Sequence, residues 1–117
     1  MAIAQLLAVV PVSDIEAART WYTRLFGRPP DNHPMTTLVE WKVVEFGWVQ
    51  VFCDPSRAGS ALLNLAVRDL AVHIAELEGR ELSPGPVVAA DKGVTLSSIE
   101  DPDGNRITFI GNFRDVY

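Results

Sequence analysis

The feature that most restricts how this chain can fold is an internal repeat. Leu7, Val12, Asp14 and Ile15 fall on Leu62, Val67, Asp69 and Leu70 at a constant offset. In both copies these residues stand in an apolar strand, at a helix-capping Asp and at the first apolar position of a helix, as in a duplicated supersecondary unit. In the first copy, residues 3–12 are apolar at both parities, which predicts a strand covered on both faces. Asp14 then caps a helix from Ile15 to about Phe26, with Ile15, Ala18, Tyr22 and Leu25 on one stripe, ended by Gly27 and Pro29-Pro30. Three strands follow over 35–40, 42–46 and 48–52, with Gly47 breaking the last two. The second copy opens with a strand over 61–67. Its helix has the stripe Leu70, Ile74 and Leu77 and stops at Gly79, and strands over 87–90, 94–100 and from Arg106 onward close it. The pattern predicts an α+β fold of two βαβββ modules, about 3–53 and 61–112, in a single domain over 1–117. A ferredoxin-like βαββαβ domain is the competing reading, and it has too few strands.

The final strand is introduced by Asp101-Pro102-Asp103-Gly104-Asn105. Proline at the second turn position presets φ, and Asp-Gly supplies the positive φ that a hairpin needs. Composition narrows the partners. A net charge of -5 and a pI near 4.8 argue against nucleic acid and anionic membranes, both of which reward clustered Lys and Arg. No run reaches the roughly 20 apolar residues of a membrane span. The apolar N-terminus lacks the basic segment and cleavage site of a signal peptide. The lone Cys53 forms no internal disulfide and supplies no cysteine-rich metal site. A cytoplasmic protein with a small-molecule partner is the expectation.

Three segments, in order, resemble the vicinal oxygen chelate superfamily, which includes glyoxalase I, extradiol dioxygenases, fosfomycin-inactivating enzymes and bleomycin-resistance proteins. They are Pro11-Val12-Ser13-Asp14 with the helix carrying Trp21-Tyr22 and Leu25-Phe26-Gly27, then Leu65-Ala66-Val67-Arg68-Asp69-Leu70, then Asp101 to Ile107. The resemblance covers nearly the whole chain. It implies paired βαβββ modules whose strands curl into an open, barrel-like cleft with the helices outside, and a homodimer.

Metal-binding members of that superfamily carry ligands on the first strand of each half and on the closing strand. The resemblance places these positions at Leu7, Leu62 and Thr108, with a fourth at or near Gln50. A divalent ion acting as a Lewis acid needs His, Glu or Gln donors at about two ångströms. Two leucines and a threonine do not supply them, so neither a metal nor a cofactor is expected.

Strand alternation puts Leu7 on one face with Gln5 and Val9, Leu62 with Asn64, and Thr108 with Arg106 and Ile110. An apolar floor with a few polar handles suits a small-molecule pocket. With Trp41 and Trp48 as aromatic walls and Gln50 beside them, the expected cleft is Leu7, Val9, Trp41, Trp48, Gln50, Leu62, Asn64, Arg106, Thr108 and Ile110.

Each of these groups also has a plainer use. The tryptophans suit a core or a dimer interface. His73 sits at the edge of an amphipathic helix, where a solvated or locally bonded imidazole is commoner than a catalytic one, and His33 lies in a loop without a positioned partner. Asp101 and Asp103 miss the spacing of a calcium loop and are explained by the turn. Ser97 and Ser98 have no activating His and Asp in sequence. The reading that follows is a metal-independent binding protein of the bleomycin-resistance type, sequestering an aromatic or cationic compound, with no catalytic residue assigned. Its alternative is a glyoxalase-like lyase or isomerase, or a dioxygenase-related enzyme, with a non-standard site drawn from Glu40, Glu45, Gln50, Asn64 and Arg106. A third reading is an interaction module whose cleft is filled by its own side chains.

Overall fold

The computed structural model describes residues 1–114. Along the chain run β1 (Leu6–Val12), α1 (Ile15–Phe26), β2 (Asn32–Met35), β3 (Leu38–Val44), β4 (Gly47–Cys53), β5 (Leu62–Ala66), α2 (Leu70–Gly79), β6 (Val88–Ala89), β7 (Thr95–Glu100) and β8 (Arg106–Gly111). They form two separate four-stranded sheets, ordered β1-β4-β3-β2 and β5-β8-β7-β6. In each, the first strand pairs in parallel with the last, Leu7 opposite Trp48 and Leu62 opposite Arg106. The two halves therefore share one topology, and neither sheet closes into a barrel.

The helices begin where the sequence places them. The Asp14 carboxylate accepts from the amides of Glu16 and Ala17, and Asp69 accepts from Val72, satisfying N–H groups left open at a helix start. Gly27 ends α1 with φ +73, a left-handed conformation open to glycine at little cost.

Parity then divides each sheet. Val10, Val12, Val39, Trp41, Val49 and Val51 turn toward α1, while Ile107 and Phe109 turn toward α2, and all are buried in one continuous core. The opposite face is open. Leu7 is 52%, Val9 53% and Leu62 80% exposed. The two halves join by their helix sides and by the Asp101 to Asn105 turn. Tyr22 Oη donates to Asp101 Oδ2 at 2.7 Å, and Asn105 Nδ2 donates to the Pro11 carbonyl at 2.7 Å. Arg24 and Arg80 each donate to the other's backbone carbonyl at the helix C-termini.

Several expectations are corrected. The first strand begins at Leu6 and is covered on both faces only at its C-terminal end, where Val10, Pro11 and Val12 are all buried, while Leu6, Leu7 and Val9 are exposed. β3 runs unbroken from Leu38 to Val44 and the preceding turn falls at 36–37, since the alternation of Val39, Trp41 and Val43 under α1 carries the strand through Trp41. His33 lies in β2 rather than in a loop.

Candidate functional site

The open face of the first sheet follows from its register. Leu7 lies across from Trp48, Val9 from Gln50 and Pro11 from Phe52, while β3 sets Leu38 against Phe52, Glu40 against Gln50 and Lys42 against Trp48. In an extended strand these residues share one side. Beside them lies a hollow of about 580 Å³ walled by Val9, Pro11, Met35, Leu38, Phe52 and Ala61, with Gln50, Asp54, Arg57 and Ser60 as its polar lining. Gln50 Nε2 donates to Glu40 Oε2 at 2.8 Å, and Asn32 Nδ2 donates to Glu40 Oε1 at 3.2 Å. Both Glu40 oxygens thus hold a neutral amide. Arg28 is paired with Asp31 and Arg57 with Asp54.

The open face of the second sheet carries Leu62 opposite Arg106, Asn64 opposite Thr108 and Ala66 opposite Ile110. Thr108 Oγ1 is hydrogen-bonded to Ser98 Oγ at 2.8 Å. Leu7 and Leu62 offer no donor atom, and the Thr108 hydroxyl is a neutral oxygen already engaged. No group of three or more His, Cys, Asp or Glu converges among the described residues. The side chains at Leu7, Leu62 and Thr108 do not fit a divalent ion.

Of the expected cleft residues, Leu7, Val9 and Gln50 share the first open face, and Leu62, Asn64, Arg106, Thr108 and Ile110 share the second. Trp48 belongs to the first face and also borders a second cavity at the junction of the halves, as does Asn64. Trp41 is a correction. Its register partner is Val49, so it points to the helix side, fully buried against Tyr22 and Phe26. Its Nε1 donates to the Arg28 carbonyl at 2.9 Å. Leu38, Glu40 and Phe52 were not among the expected cleft residues. They share parity with Gln50, a signal that becomes usable once the β3–β4 register is known.

His73 is the other correction. Its ring lies 4.6 Å from that of Phe109, and its Nε2 is buried without a hydrogen-bond partner. α2 turns this residue toward β8 because it lies one turn from Leu70 and Leu77, both in the core. Burial holds the imidazole below its ordinary pKa, with Arg80 adding to the effect and Glu76 opposing it. Between that depressed value and about 6.5 the unfolded chain binds more protons than the folded one, so stability rises with pH across the window and is lost as pH falls through it. Urea unfolding near pH 7.5 and near pH 5.5 should show the lower stability in acid. His73→Phe should flatten this part of the profile; an unchanged profile would assign the acid loss to other groups.

A glyoxalase/bleomycin resistance protein from Catenulispora acidiphila DSM 44928 is 30% identical to this chain, the match covering 93% of this chain and 98% of that one with a TM-score of 0.87. The chain belongs to the glyoxalase/bleomycin-resistance family. The resemblance to the vicinal oxygen chelate superfamily carried by the first helix and the Asp101 to Asn105 turn is borne out. A bleomycin-binding protein complexed with bleomycin shares the fold at 18% identity, covering 97% of this chain and 100% of that one, TM-score 0.74. So does a lactoylglutathione lyase from Agrobacterium tumefaciens at 18% identity, covering 93% of each chain, TM-score 0.70. No family model matches the sequence, and no curated protein matches it at a significant level. Among the described residues no helix is long and apolar enough to cross a membrane.

Proposed function

We propose that this protein binds and sequesters a cationic aromatic small molecule by a mechanism that uses no metal. The observation that carries this reading is the Glu40 carboxylate, held by the amides of Gln50 and Asn32 beside a mostly apolar hollow of about 580 Å³ whose lining cation, Arg57, is paired with Asp54. Apolar and aromatic walls bury a ligand's ring, while the carboxylate supplies charge complementarity in a partly desolvated setting. The amides fix its direction without neutralising it. We place the second wall of the cleft on the open face of β5–β8 from another copy, because within one chain both open faces are left uncovered. A homodimer would cover Leu7, Val9 and Leu62 together with the ligand.

A lyase or isomerase in the manner of the lactoylglutathione lyase is the weaker reading, since Leu7, Leu62 and Thr108 offer no metal-binding set. The test is a titration with a panel of planar cationic aromatics, followed by Trp emission and calorimetry. A member of the panel should bind at one equivalent per cleft, and Glu40→Gln should weaken that binding about ten-fold, the effect of losing one charge-assisted contact. A panel that leaves the protein unbound, or cation binding indifferent to Glu40→Gln, would sink the proposal. Sedimentation at the concentration of the titration should report two chains per particle.

A further inference from the structure

The duplication has left an asymmetry at the junction of the halves. Lys42 pairs with Trp48 as Glu100 pairs with Arg106, so the turn residues 43–47 correspond to 101–105, with Val43 in the place of Asp101 and Gly47 in that of Asn105. On the helices, His73 and Leu77 hold the places of Ala18 and Tyr22. In one direction the junction is filled. Asp101 and Asn105 reach across to Tyr22 and the Pro11 carbonyl, leaving a hollow of only about 90 Å³ beside Ala18. In the other direction Val43 and Gly47 have no reaching side chain and Leu77 no hydroxyl. The space stays open as a cavity of about 510 Å³, walled by Leu6, Phe26, Leu65 and Phe109 among others and bordered by His73.

A buried ring nitrogen without a partner loses the hydrogen bond it had in water, and such groups call for an explanation in a folded protein. Here His73 Nε2 is that atom, and the residue lines a cavity within the size range of small-ligand sites. We propose that the junction cavity is a second binding site, taking an uncharged, mostly apolar molecule of the phenol or naphthol type; His73 Nε2 is itself buried, and a turn of the imidazole ring brings it to the ligand's hydroxyl. A hydroxyl both donates and accepts, so it satisfies either tautomer of a neutral imidazole. Charges of both signs border the cavity. Glu76 and Arg80 both line it; the Arg80 guanidinium is bonded to the carbonyls of Arg24 and Leu25, and Arg28 is bonded to Asp31 and the Lys42 carbonyl. The two arginines are therefore already committed, and Glu76, Asn64 and His73 are the polar side chains left among mostly apolar walls. The residues lining this cavity and those lining the hollow beside Glu40 are different sets, so the site stands or falls independently of the proposed sequestration.

The probe is 1-naphthol, titrated into the wild-type protein and followed by calorimetry and by imidazole nitrogen–proton correlation spectra, which resolve His73 from His33. Saturable binding that moves the His73 resonance is expected, with about ten-fold weaker binding in His73→Phe. Gln50→Leu, on the other cavity, should leave naphthol affinity unchanged. Val44→Trp is the second variant: Val44 lines the cavity and is 65% exposed, so a larger ring there should block entry without entering the core, whether or not His73→Phe folds. Absence of saturation, a naphthol affinity untouched by His73→Phe and Val44→Trp, or one lost in Gln50→Leu would each overturn the assignment.

Discussion

Asp101→Ala is expected to lower the unfolding free energy by about 3–5 kcal/mol, because it leaves several buried donors unsatisfied at about 1–3 kcal/mol each, partly offset by relaxation and water entry. Asp101 is buried and accepts four hydrogen bonds: from Tyr22 Oη at 2.7 Å, Asn105 Nδ2 at 2.8 Å, and the amides of Asp103 and Asn105 at 2.9 Å. Three of these hold the turn in shape, and the fourth ties it to the helix of the other half. Burial, together with the neighbouring carboxylates of Asp101 and Asp103, raises the Tyr22 pKa well above its ordinary value. The phenol therefore remains a donor at any pH where the fold persists. Alanine at 101 would strand that buried hydroxyl and one hydrogen of the Asn105 amide. Tyr22→Phe removes only the cross-half bond and should cost less, about 1–2 kcal/mol. Urea unfolding of both variants checks the order. If Asp101→Ala cost under about 1 kcal/mol, the turn would not be what fastens the halves together.

That turn also marks what the sequence makes legible. Its role as a hairpin follows from Pro102, Asp103 and Gly104 alone, because φ preferences are local. Asp14 and Asp69 likewise announce their helices through contacts two or three residues away. The reach of Asn105 to Pro11, across most of the chain, depends on how the halves dock and has no local signature. Trp41 and Trp48 illustrate the same limit within one sheet. Both lie on aromatic-rich strands, and only the register of β3 against β4, shifted between Lys42 and Val44, decides which faces α1 and which faces outward. His73 was misread for a related reason. Its helix stripe is visible in the sequence, but the space beside it exists because Val43 and Gly47 stand where the other half has Asp101 and Asn105. Of the cleft, the family resemblance points to Leu7, Leu62, Thr108 and Gln50, and alternation groups Val9 with Leu7, Asn64 with Leu62, and Arg106 and Ile110 with Thr108. Glu40 as a member of that surface required the cross-strand partner of Gln50.

Restoring donors to the substituted positions should have the largest functional effect. Leu7→His combined with Leu62→His and Thr108→Glu is expected to create a zinc site, with an affinity gain over the wild type of about two orders of magnitude or more. Leu7 and Leu62 lie exposed on their open faces, so their replacement should cost about 0.5 kcal/mol or less each. Thr108 gives up its bond to Ser98. Thr108 pairs with Asn64, two residues along β5 from Leu62, so the new Glu and His are diagonal neighbours on one sheet. The third donor must come from the other sheet. Because the halves of one chain join by their helix sides and leave both open faces uncovered, that donor is expected from a second copy. Complementation tests this directly. Leu7→His alone and Leu62→His with Thr108→Glu alone should each bind zinc weakly, and mixing the two proteins after co-refolding should produce the tight site. Elemental analysis and zinc titration read the outcome. Zinc carried stoichiometrically by the wild type, or none taken up by the triple variant, would show that Leu7, Leu62 and Thr108 do not hold the family's ligand positions. Tight binding in the triple variant that is absent from the mixture would instead place both sheets of the cleft within one chain.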